Sequence, residues 1–244
     1  MKQKYQFISI ILISILFFGC ITNEHNINVH FLDAYKTKEY TRLKPKIRSI
    51  IYDTIEEFQE YLPINNLDII VTNNPEYNTI LPNYIGISGM AYDKTTTSLM
   101  IDLNFDQIEK SIDTELRRIL LHELNHVFRN NEVPDTFYTL FAAIISEGIA
   151  DYFEITITGQ DPHIWSTAIP ETQLRDYIEL MKYSAWDKKY DQERWFYGTE
   201  DLPQHLGYSM GFMLVEQYLQ KHPNTTIFDL SRKPANRIYS ELDI

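Results

Sequence analysis

Arg118-Ile119-Leu120-Leu121-His122-Glu123-Leu124-Asn125-His126-Val127-Phe128-Arg129 is the stretch on which both the fold and the chemistry of this chain turn. Leu120, Leu121, Leu124, Val127 and Phe128 make it apolar almost all round, the pattern of a helix buried in a core. Within it, His122, Glu123 and His126 form an HExxH motif. Residues four apart on a helix stand one turn above each other on the same face, so both imidazoles can aim at one cation, and imidazole suits zinc. Glu123, about 100° round from His122, is badly placed to be a third ligand. It can instead reach a water in an open coordination position and take its proton during attack on a carbonyl. The bland alternative is a buried helix with two incidental histidines. Three such side chains without partners would cost several kcal/mol, much of which a shared metal removes.

Downstream, Ser146-Glu147-Gly148-Ile149-Ala150-Asp151-Tyr152 supplies acids on the next expected helix. Catalytic zinc commonly has three protein ligands, and two histidines with a glutamate are a known set. Glu147, twenty-one residues after His126, is the candidate third ligand, ahead of Glu132 and Glu154. Asp151 follows one turn later, where its carboxylate can accept a hydrogen bond from the non-ligating nitrogen of His122 or His126. Gly148 is costly inside a helix, which points to close approach of this helix to the motif helix. A solvent-exposed acidic patch is the competing reading. A straight hairpin turning near residues 131–134 would leave His126 and Glu147 about 13 Å apart in level. The helices must therefore cross steeply, or an irregular stretch must occupy part of residues 130–140.

The flanking sequence predicts an α+β fold, with a small N-terminal sheet on the motif helix and a mostly helical C-terminal half. Helical spacing runs from Thr41 to Leu62, stopped by Pro63, and a short buried strand is expected over Leu67–Thr72. Ile87–Tyr92 and Ser98–Leu103 read as two strands around a polar turn, with Gly86 and Gly89 hinting at a bulge. Helices are expected over about 106–129, 136–155 (opened by Pro134 and Asp135), 171–183 and 208–219. Residues 184–206 form a long aromatic and charged loop, a kind that is often functional. Ser98–Leu103 could be an edge strand beside the cleft, to which an extended substrate adds.

With these residues in view, the chain resembles the gluzincin metallopeptidases, the thermolysin-like group with HExxH followed by a glutamate ligand in an ExxxD context. More narrowly, it is similar to the domain-of-unknown-function family described as predicted zinc-dependent proteases. The resemblance rests on His122–Arg129, on Glu147 to Phe153, and on a third block running from Phe196-Tyr197-Gly198 to Gly207-Tyr208-Ser209-Met210-Gly211. It implies a zincin-like fold, one catalytic Zn2+ on His122, His126 and Glu147, Glu123 as general base, and a peptide or protein substrate. Tyr208 or His205 becomes the candidate donor to the tetrahedral oxyanion, Tyr208 ahead because it opens an expected helix. Two other readings stay open: a metal-dependent hydrolase of a non-peptide amide, and a surface binding module that retains the zinc site.

The first residues address the chain. Lys2 and Lys4 precede an apolar run from Phe7 to Phe18, which as helix covers about 18 Å, short of a ~30 Å bilayer core. A signal peptide over 1–19 is therefore expected rather than a spanning helix. Phe17-Phe18-Gly19-Cys20 resembles a lipoprotein processing site, with Cys20, the chain's one cysteine, carrying the lipid. Residues 20–30 then read as a tether and 31–244 as the peptidase domain, held outside the cytoplasm on the membrane or envelope. Loss of Lys2 and Lys4 takes the formal charge from −12 to −14, which repels nucleic-acid phosphates and argues against a nucleic-acid partner.

Overall fold

The computed structural model describes residues 26–33, 36–73, 85–133, 138–242 and 244. The expected signal peptide, Cys20 and the Pro134-Asp135 helix start lie outside the described residues. β1 covers Asn26–Leu32, so the stretch expected as a tether already contributes a strand from residue 26 onward. Ile27, Val29 and Phe31 alternate with Asn26, Asn28 and His30, and the apolar set packs on the core. β2 (Asn66–Thr72) runs parallel to β1. Between them α1 (Lys38–Gln59) starts at Thr37, whose Oγ1 accepts the Tyr40 N–H at 3.2 Å. Tyr40, Leu43, Ile47, Ile51, Ile55 and Phe58 form its buried face.

β3 (Ile87–Ala91) and β4 (Thr96–Ile101) pair antiparallel, as the polar turn between them predicted. The strand order is β1-β2-β4-β3, with β4 parallel to β2. Among the described residues the edge strands are therefore β1 and β3, and the expectation of an edge at Ser98–Leu103 is corrected: β4 spends both sides on neighbours, β2 and β3.

The helix expected over 106–129 divides at Glu115 (φ −109°, ψ −29°) into α2 (Ile108–Thr114) and α3 (Leu116–Glu132). α3 is the hub. It packs on β3 and β4, on α1 and α2, and on α4 (Leu140–Thr158). Thirteen of its residues are buried, from Leu116 to Arg129. One turn past His126, Arg129 donates through Nη1 to the carbonyls of Leu230, Ser231 and Lys233 at 3.1, 3.0 and 3.4 Å. Those carbonyls lie at and beyond α7 (Ile227–Leu230). α4 is capped by Thr139 and packs on its far side against α6 (Leu206–Lys221). α5 (Glu171–Ser184) and α8 (Ala235–Glu241) complete the helical half. Within the long loop, Glu193–Tyr197 makes one π-helical turn. The architecture is α+β, a small mixed sheet followed by helices, as the sequence predicted.

Candidate metal centre

α3 and α4 run antiparallel with three facing levels. Arg118 meets Glu154, His122 meets Glu147 and Asp151, and His126 meets Ser146. The level difference foreseen for a straight hairpin disappears for a simple reason. α3 continues to Glu132 and α4 begins only at Leu140, so His126 lies six residues and Glu147 seven residues from the facing ends. No steep crossing is needed.

His122 Nε2 lies 3.0 Å from His126 Nε2, and Glu147 Oε2 lies 3.2 Å from the first and 3.4 Å from the second. Four-coordinate zinc with ligand bonds of about 2.0–2.1 Å separates its ligand atoms by about 3.3 Å. The three side chains thus already hold the edges of such a tetrahedral face, with the donor set that zinc takes. Among the described residues, they are the one group of three or more such side chains able to hold an ion. Asp151 Oδ1 stands 2.9 Å from His122 Nδ1, on the side of the ring away from the cluster. His126 has a different support. Ser146 Oγ lies 3.3 Å from its Nδ1.

Charge in the cluster is strongly coupled. Burial pushes the His122 pKa down, but Asp151 and Glu147 outweigh it and hold the ring well above its ordinary value. Burial likewise opposes ionisation of Glu147, yet His126 and His122 keep its carboxyl well below the usual range. Without metal His122 is therefore biased toward holding a proton that a cation must displace.

Glu123 points elsewhere, toward β3. It is buried, and burial raises its pKa, tempered by the charges of His122 and His126 and by a backbone hydrogen bond from Ala91. Gly89 makes the room. A Cβ there would fall 2.4 Å from Glu123 Cγ and 2.6 Å from its Oε1. The glycine read as a bulge signal is a cradle for the acid.

Gly148 also has a different use from the one expected. A Cβ on it would lie 2.1 Å from the Gly211 carbonyl group, so it lets α4 touch α6, not α3. Glu154 is no ligand: it is fully buried and gripped by Arg118 at 2.6 and 3.1 Å. Tyr208 lies close enough to Glu147 and Asp151 that their charges, after burial, raise its pKa, and it hydrogen-bonds the Tyr197 side chain. Tyr190 feels the Glu147 charge as well. Tyr190 and Tyr197 come from the long loop; Tyr197 stands only within the third block of the resemblance, and the sequence assigns neither a role. His205, the other candidate donor, precedes α6 with a left-handed backbone (φ 65°). Neither of its ring nitrogens has a hydrogen-bond partner among the described residues.

Comparison with known proteins agrees with this geometry. A family model described as predicted Zn-dependent protease (DUF2268) matches residues 47–240. Uncharacterized protein YjaZ of Bacillus subtilis (strain 168) is 29% identical over 151 residues, covering 59% of this chain. The match spans 55% of that relative's own length. No solved structure matches the chain.

Proposed function

The chain belongs to the family described as predicted Zn-dependent protease, and from that premise we propose a peptidase that holds zinc on His122, His126 and Glu147 and uses Glu123 as its general base. The observation that carries the proposal is the approach of His122 Nε2, His126 Nε2 and Glu147 Oε2 to within 3.0–3.4 Å of one another. Zinc, when bound, would supply polarisation of the scissile carbonyl and lower the pKa of the attacking water to about 7.

The chain's own groups do the rest. Glu123, turned away from the ligands and raised in pKa by burial, takes the proton of the attacking water and passes it to the leaving amine. Tyr208 keeps its hydroxyl proton at neutral pH and is the donor to the oxyanion. Among the described residues β3 lies at an edge of the sheet beside Glu123, where an extended peptide could pair with the strand; this supports a peptide or protein as substrate.

Cys20, acylated after removal of residues 1–19, is proposed to hold the domain outside the cytoplasm. The support is the sequence of that segment. Among the described residues no helix is long and apolar enough to cross a membrane. Absence of label on the wild-type chain after growth with a radiolabelled fatty acid would refute this point.

The mechanism is tested by Glu123→Gln. We expect one zinc per chain to persist while cleavage of peptide libraries disappears. Undiminished cleavage rules out Glu123 as base. Turnover confined to small non-peptide amides would move the substrate class, and zinc binding with no turnover at all would leave a binding module.

A further inference from the structure

The Asp151 carboxylate is 1% exposed and approached by donors on both oxygens. Oδ1 faces His122 Nδ1 at 2.9 Å and accepts the Trp165 Nε1–H at 3.3 Å. Oδ2 accepts the Ser166 hydroxyl at 2.7 Å. Trp165 and Ser166 lie in the connection from α4 to α5, which folds back along α4. That connection is itself fixed. The Trp165 indole stacks on His163, with ring centres 4.1 Å apart and planes 14° from parallel. Its carbonyl accepts the Ser209 hydroxyl of α6 at 2.9 Å, and Ser209 Oγ accepts the Ile169 N–H at 3.3 Å.

Ser166 and Ser209 are 2% and 1% exposed. A buried hydroxyl destabilises a fold unless its hydrogen bonds recover what desolvation costs. Both here are spent on one chain of contacts, from α6 through the loop to Asp151 and on to His122. A carboxylate held at one oxygen only can swing about its Cβ–Cγ bond. Held at both, it has one orientation, and the ring facing it has one as well.

We propose that Ser166 and Trp165 are positioning residues for the metal centre, and that Ser209 holds them in place. By locking both oxygens of Asp151 they keep His122 Nδ1 engaged, so that Nε2 points at His126 and Glu147 with its lone pair available. The inference rests on the metal reading given above. Partners of this kind contribute roughly 10- to 100-fold in metal affinity.

The experiment measures zinc affinity by chelator competition on purified full-length protein, together with apo-protein melting temperature. Ser166→Ala and Trp165→Phe should each weaken zinc binding roughly 10- to 100-fold. Ser166→Thr, which keeps the hydroxyl, should restore most of it. Ser231→Ala is the structural control. That hydroxyl is fully buried and accepts Asn125 Nδ2 at 2.9 Å, on α3 but away from the cluster. Its loss should lower the apo melting temperature and leave zinc affinity unchanged. If Ser166→Ala does not fold, Trp165→Phe, which keeps a six-membered ring against His163 and loses the N–H together with the five-membered ring, decides, its apo melting temperature gauging the lost stacking separately from zinc affinity. Wild-type zinc affinity in the variants overturns this proposal alone. A wild-type chain that binds no zinc overturns the metal reading, and this proposal falls with it.

Discussion

Replacement of Gly89 by alanine tests whether Glu123 does chemistry from the position it occupies. The added Cβ would stand 2.4 Å from Cγ, 2.6 Å from Oε1 and 2.8 Å from Cδ of Glu123. Carbon atoms rest about 3.5–4.0 Å apart, so one side must retreat by about 1 Å or more. β3 is held in register by β4, with Gly89 opposite Leu99, whereas the carboxylate is the far end of a side chain. The carboxylate gives way. Gly89 is not among the glycines with positive φ, so alanine takes the same backbone without strain. A 1 Å misplacement of a reacting group costs about 100-fold in rate, equivalent to about 2.7 kcal/mol. The three atoms nearest that Cβ all belong to Glu123 and none to His122, His126 or Glu147, so a zinc held by those three should stay. The assay pairs kcat/KM on a cleaved peptide with zinc content by mass spectrometry. Full turnover by Gly89→Ala refutes the role given to Glu123. Loss of zinc in the variant refutes the separation of base from ligands.

Two further expectations concern stability. His163, 7% exposed, has its pKa pushed down to about 3 by burial and then by the Arg118 and His122 charges, against about 6.5 unfolded. Between those values the unfolded chain binds the extra proton, so stability is lost as pH falls below about 6.5, by roughly 1.4 kcal/mol per unit from this group. Urea titrations of the apo-protein at pH 7, 6 and 5 should show that slope reduced in His163→Phe; equal slopes would contradict the assignment. Gly148→Ala places a Cβ 2.1 Å from the α6 backbone at Gly211, which no rotamer relieves. It should cost about 1–3 kcal/mol, a drop of several degrees in melting temperature, and an unchanged transition would show that α4 and α6 are less tightly apposed than described.

The parts of this fold that depend on local periodicity were readable in advance. The i, i+4 histidines, the antiparallel β3–β4 pair and the helices over 171–184 and 206–221 all carry their pattern in neighbouring residues. What escaped is non-local. β1 had a period-2 signal in Ile27, Val29 and Phe31, but the polar residues between them read as tether until β2 was there to pair with. Which of β3 and β4 forms the edge is decided by β2, fifteen or more residues away. The partner of Gly148 is on α6, and nothing around residue 148 says so. Glu147 and Asp151 were legible because helix spacing carries them. Ser146, Trp165, Ser166 and Gly89 were not, because each meets its partner only after the chain has returned from elsewhere.

The grip of Arg129 on residues 230–233 joins positions 101 to 104 apart in sequence. During synthesis the helix bearing HExxH therefore waits about a hundred residues more, until 230–233 have emerged, before its rear face is closed. Contacts of such long range are slow to form and leave apolar surface open meanwhile. Loss of residues 230–233 would accordingly disturb the helix that bears His122, Glu123 and His126 without altering any of the three, and a detection tag belongs outside that segment.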